Sequence, residues 1–132
     1  MLLSNFELQK NVTPSHVVEE KSGYVTSVNS LKPIGLYHFG YKCFAVVQLT
    51  LTVPLTNCKS FSVSVFCGET KVAEQTFSFQ SDYTQGTSSI MFIVNASKNS
   101  DLYCNVYSPF ISRDEAITVK CSALQIYTEI YK

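Results

Sequence analysis

Residues 44–67 hold two runs of strict alternation, and these limit what the chain can fold into more than any other stretch. In the first, Ala45, Val47, Leu49, Leu51 and Val53 fall on one face, and Gln48, Thr50 and Thr52 on the other. In the second, Phe61, Val63, Val65 and Cys67 face one way, and Ser60, Ser62 and Ser64 the other. A period of two puts successive side chains on opposite faces of a sheet. β-branched and aromatic residues dominate both runs, as a half-buried pleated surface favours. Pro54 and Asn57 mark the turn between them. The stretch predicts a long antiparallel pair with one dry face.

The remainder extends this pattern. Residues 1–22 are mixed and show no 3.6-residue stripe, so residues 1–23 are expected to be an N-terminal arm. Two readings of the arm stand: an extended segment with one short strand that orders against a neighbour, or a frayed terminus. Residues 24–132 are expected to form one β-sandwich domain. Its further strands are predicted at 24–28, 34–39, 71–79, 88–94 and 102–107, with the last two at 116–121 and 124–131. In the final strand, Leu124, Ile126 and Ile130 are assigned to the core and Tyr127, Glu129 and Tyr131 to the opposite face. Turn signals separate these segments at spacings of about 8–14 residues, as in sandwiches and barrels, for instance Gly68 in the 67–70 hairpin and the polar cluster 95–101. The pattern predicts an all-β fold: an antiparallel two-sheet β-sandwich, jelly-roll-like, with an extended N-terminal arm. An immunoglobulin-like sandwich is the second topology, but its core Trp and cysteine spacing are missing.

Composition narrows function by exclusion. The 132 residues carry ten acidic and ten basic side chains, a formal net charge of zero. That offers no electrostatic footprint for nucleic acid or an anionic membrane. Charged residues make up 15% of the chain, against about a quarter in typical soluble domains. Such a surface fits either a chain covered by partner subunits or a modestly soluble monomer. The first residues show no basic and apolar leader, and no apolar run reaches the ~20 residues of a membrane span; synthesis in a cytosol is expected. Five cysteines are present, Cys43, Cys58, Cys67, Cys104 and Cys121, none in a C-x-x-C pair. Zinc-ribbon spacing is therefore absent, and free, mostly core thiols are expected, with a Cys43–Cys58 bridge the alternative.

The search for chemistry returns little. His16 and His38 have no nucleophile motif and no acidic partner that the sequence can place. The acidic residues form no recognisable pair, and no glycine loop or calcium loop is present. The chain is expected to be no enzyme, with no cofactor and no metal. The sequons at Asn11 and Asn95 are attributed to chance in the absence of a leader. Tyrosines are the remaining signal. Tyr103, Tyr107, Tyr127 and Tyr131 fall on the non-core phase of two C-terminal strands and form a candidate interface, or else cover a second face within the monomer. Tyr83 in loop 80–87 and Arg113 in loop 108–115 mark a candidate ligand loop.

The ending gives a resemblance. A turn cluster at 95–101 is followed by the strand Leu102-Tyr103-Cys104-Asn105-Val106-Tyr107. Then come Ile117-Thr118-Val119-Lys120 and the tyrosine-rich terminal strand Leu124-Gln125-Ile126-Tyr127-Thr128-Glu129-Ile130-Tyr131. This layout resembles the jelly-roll head and decoration proteins of bacteriophage virions, and more loosely the TNF/C1q-like fold. The resemblance implies a non-enzymatic structural protein, an auxiliary capsid, decoration or fibre-head domain. It further implies a homo-oligomer, with a trimer favoured, docked on other virion proteins such as a major capsid protein and made in the bacterial cytoplasm. The alternative is a carbohydrate-binding module that uses Tyr83, Tyr103 and Tyr107 as a stacking platform, with a glycan as partner.

Overall fold

The computed structural model describes residues 15–54, 60–78, 85–109, 111 and 113–127. Eight strands account for most of them: β1 (Ser15–Thr26), β2 (Ile34–Phe39), β3 (Cys43–Pro54), β4 (Ser60–Cys67), β5 (Thr70–Ser78), β6 (Gln85–Ala96), β7 (Ser100–Tyr107) and β8 (Glu115–Tyr127). Hydrogen bonding orders them β5-β4-β7-β1-β8-β3-β6, with β2 on β7. All neighbours are antiparallel except β1 and β7, which meet in parallel only at Val25↔Val106 and Thr26↔Tyr107. That short seam divides the path into two four-stranded layers, β1-β8-β3-β6 and β2-β7-β4-β5. Except at the β4–β5 hairpin, consecutive strands cross between the layers in jelly-roll fashion, and the inner faces enclose one core.

The core is the phase the alternation predicts. Ala45, Val47, Leu49, Leu51 and Val53 of β3 are buried, as are Phe61, Val63 and Val65 of β4. Ile90, Phe92 and Val94 of β6, Leu102, Cys104 and Val106 of β7, and Leu36 and Phe39 of β2 complete it. Phe61 and Phe77 lie 5.3 Å apart in a tilted pair. Burying each such side chain stabilises the fold by roughly 1.5–3 kcal/mol. Gly23 lies close under Ile34: a Cβ there would meet Ile34 Cδ1 and Cγ1, and that side chain would have to shift. Gly68 takes φ of 61° in the β4–β5 turn, where a side chain would be strained.

Two expectations need correction. Residues 15–23, assigned to the arm, are the larger part of β1, which pairs with β8 from Ser15↔Gln125 to Val25↔Glu115. Residues 1–14 lie outside the described residues. The strand is hard to read because it lies at the open side of its sheet: Val17, Glu19, Lys21 and Gly23 are only half-buried, so no dry face marks it. The second correction is β8, which runs unbroken through Ser122. The period of two then carries Ile117, Val119, Cys121, Ala123 and Gln125 inward, and turns Leu124 and Ile126 out. Gln125, 2% exposed, donates from Nε2 to Tyr37 Oη at 3.0 Å and so links the two layers.

Cys43, Cys67, Cys104 and Cys121 are free thiols, and Cys58 lies outside the described residues. Burial pushes the Cys104 thiol up from 9.0 to about 12 and the Cys121 thiol to about 11. Both stay protonated at neutral pH and pack as small apolar groups.

Candidate interaction face

The outer surface of β1-β8-β3-β6 carries the feature that the core does not explain. Here the residues alternate with the core set, and at one end of the sheet they are apolar too. Ile93 of β6 pairs with Val46 of β3, Val46 with Leu124 of β8, and Leu124 with His16 of β1. The next row holds Phe44 opposite Ile126. On the other side lie Met91 opposite Gln48, and Val18 opposite Ser122. Ile93 is 69% exposed, Met91 65% and Phe44 47%, and Val18, Val46, Leu124 and Ile126 are exposed as well. These seven side chains form one patch across four strands, with no charged group among them. One row further, Ser89, Thr50, Lys120 and Glu20 turn the surface polar. His16 Nε2 and Ser122 Oγ are hydrogen-bonded at 2.7 Å on the patch margin. A contiguous exposed apolar patch with a polar rim is the mark of a contact surface.

The outer surface of β2-β7-β4-β5 is built differently. Glu74 Oε2 accepts from Ser64 Oγ at 2.8 Å, Lys71 Nζ at 3.1 Å and Tyr107 Oη at 3.2 Å. Ser62 and Thr76 hydroxyls pair at 2.7 Å, and Phe66 and Tyr103 stack at 5.3 Å. The Ser64 hydroxyl, followed by the Lys71 ammonium, holds the Glu74 carboxyl below its ordinary value.

Of the tyrosines proposed from sequence, the described ones divide between the two layers. Tyr103 and Tyr107 stand on β7, and Tyr127 ends β8 opposite Cys43. β7 and β8 lie in different layers, because the connection between them crosses the sandwich. Apart from the β4–β5 hairpin, consecutive strands in sequence are not neighbours in this topology. Tyr83 and Tyr131 lie outside the described residues. Arg113 is exposed, with Nε 4.0 Å from Glu115 Oε1. His38, for which the sequence offered no acid, has one: Nδ1 lies 2.6 Å from Asp101 Oδ1 in an exposed pair beside the cleft between β1 and β2. Among the described residues no group of three His, Cys, Asp or Glu side chains could hold a metal ion.

The apolar patch is absent from the sequence reading, although a signal exists. Residues 44–47 read Phe-Ala-Val-Val and 90–94 read Ile-Met-Phe-Ile-Val, apolar in both phases. A strand with one dry face needs apolar residues in one phase only. The excess at one end of two paired strands is the outer patch.

No protein-family model matches the chain, and no curated protein matches it. Among solved structures it is similar to PRD1 vertex protein P5, at 11% identity over 87% of this chain and 98% of that one, TM-score 0.54. It is similar to the CBM36-1 domain of a multidomain xylanase from the hindgut metagenome of Trinervitermes trinervoides, at 9% identity over 82% of this chain and 96% of that one, TM-score 0.51. A third likeness is to dimeric latent PorU from Porphyromonas gingivalis, at 12% identity over 89% of this chain and 13% of that one, TM-score 0.51. At these identities the likeness is one of fold, and it agrees with a jelly-roll sandwich.

Proposed function

We propose that this chain is a non-enzymatic structural protein of a bacteriophage virion, an auxiliary capsid, decoration or fibre-head domain that assembles through the outer face of β1-β8-β3-β6. The observation that carries this reading is the uncharged patch around Phe44, Val46, Ile93 and Leu124. Its occupant is a second copy of this chain. The net charge of zero sets no long-range repulsion between copies. A closed ring is the ordinary outcome of such a contact, and a trimer is the form we favour. Of the tyrosines, Tyr131, outside the described residues, stays in the proposed contact; Tyr127 stands opposite Cys43 in the inward phase of β8, and Tyr103 and Tyr107 stand on the other layer, so these three do not. Free thiols fit assembly in a reducing bacterial cytoplasm before incorporation into the virion beside a major capsid protein. PRD1 vertex protein P5 supports the reading as a virion protein of the same fold. Light scattering on the purified chain over a concentration series tests it. One closed oligomer of fixed mass is the expected result, and a monomer at the highest concentration counts against it.

A further inference from the structure

The polar outer face, on β2-β7-β4-β5, is not an open sheet surface. The loop from Ser27 to Pro33 folds over it and brings Val28 and Leu31 against β4 and β7. The loop is held from behind, where Lys32 Nζ bonds Asp114 Oδ2 and sits over the Tyr24 ring at 5.4 Å. Beneath it lies a cavity of about 300 Å³ lined by Ser64, Phe66, Lys71, Glu74, Asn105 and Tyr107 together with the two loop side chains. That volume is at the lower end of the ~300–1,000 Å³ of small-molecule sites.

Alternation explains how these residues meet. Val63 and Val65 of β4, and Cys104 and Val106 of β7, point into the core, so Ser64, Phe66 and Asn105 point away from it and under the loop. Asn105 is 9% exposed. Its Oδ1 is a buried side-chain oxygen with no hydrogen bond, and no other buried side-chain atom among the described residues is left so. Buried polar atoms are almost always paired, so an orphan beside a cavity asks for a partner.

We infer that this pocket binds a neutral saccharide ring. The ligand must supply donors, because what the pocket leaves unfilled is acceptor capacity: Asn105 Oδ1 and the Glu74 carboxylate. Lys71 already neutralises Glu74, so a cation gains no net attraction. The same neutrality gives an acidic ligand no net attraction, and its carboxylate would bring an acceptor to Asn105 Oδ1, itself an acceptor. Phe66, Val28 and Leu31 offer an apolar wall for a C–H face. A ring with hydroxyl donors on its edge and C–H bonds on its face meets all of these demands. Val28 and Leu31 are exposed loop side chains that can swing aside as a hydroxyl reaches Asn105. The inference is independent of the assembly reading, since the pocket and the apolar patch lie on opposite layers.

Binding of the full chain to an array of neutral and sialylated glycans, followed by NMR titration with methyl glycosides of glucose, galactose, mannose and N-acetylglucosamine, tests it. We expect saturable shifts at Ser64, Phe66, Asn105 and Tyr107 with at least one neutral sugar. Asn105→Leu and Glu74→Gln should each weaken binding about tenfold or more. Asn105→Leu should also melt at a higher temperature than the parent chain, because it removes the orphan acceptor; this separates a lost ligand contact from a lost fold. No saturable shift with any neutral sugar, binding to sialylated glycans alone, shifts confined to other residues, or unchanged affinity in both variants overturns it.

Discussion

The two outer faces of this sandwich share one core and differ in almost everything else. On the face of β2-β7-β4-β5, Glu74 gathers Ser64, Lys71 and Tyr107, and among the buried side-chain atoms of the described residues Asn105 Oδ1 alone is left over. The face of β1-β8-β3-β6 carries at one end a run of exposed apolar side chains from Val18 to Ile93, with Gln48 and the His16–Ser122 pair beside it. The first can stand alone as a surface with one small pocket. The second is the face on which the proposed partner copy would sit. A jelly roll needs one dry face per sheet to fold, so apolar side chains on a second face are not there for folding.

Perturbations of the shared frame should affect both faces alike and come first in size. Deleting residues 15–22 removes most of β1 and its ladder with β8, from Ser15↔Gln125 to Ser22↔Thr118. Loss of the cooperative thermal transition and of strand signal in circular dichroism is expected; a chain that melts like the parent would mean the pairing is dispensable. Tyr37→Phe leaves Gln125 Nε2 buried without its acceptor. Urea titration should show about 1–3 kcal/mol of lost stability, and no change would mean the link between layers contributes nothing.

Titration separates the faces. The folded Glu74 carboxyl is held below its ordinary value, so its contribution is present above that value and is lost as pH falls through the lowered folded value. Melting curves between neutral and acid pH should therefore converge for the parent and Glu74→Gln, whereas a change confined to the apolar face should leave the pH dependence as it is. A constant gap down to the most acid pH would remove this role. The thiols give the smallest effect at neutral pH. Cys104 and Cys121 titrate near 12 and 11 in the fold, above the ordinary 9.0. Their neutral form costs nothing below about pH 9, and stability falls only as pH rises beyond that. Iodoacetamide at pH 8 should leave both unlabelled by mass spectrometry until denaturant is added; prompt labelling would contradict their burial.

What the sequence disclosed follows from the same contrast. β3 and β4 are legible because one phase is apolar and the other mostly Gln, Thr and Ser, so core and topology class came through. β1 is obscured because neither of its faces is dry. β8 misleads at its end: Leu124 and Ile126 look like core, yet the register set by Ile117 and Val119 turns them out and takes Gln125 in. The tyrosines assigned from sequence to one face of β7 and β8 lie in different layers, since layer membership depends on crossovers that local pattern does not encode. The pocket over Asn105 needs the β1–β2 loop folded back on β4 and β7, a tertiary contact with no periodic trace.

The most direct measurement is the solution mass of three proteins by light scattering: the parent chain, Ile93→Lys on the apolar face, and Tyr103→Lys on the polar face. Both sites are solvent-facing in the single chain, so all three should show the same strand signal in circular dichroism. The account predicts an oligomer for the parent and for Tyr103→Lys, and a monomer for Ile93→Lys. Equal masses for the parent and Ile93→Lys, or dissociation by Tyr103→Lys alone, would contradict it.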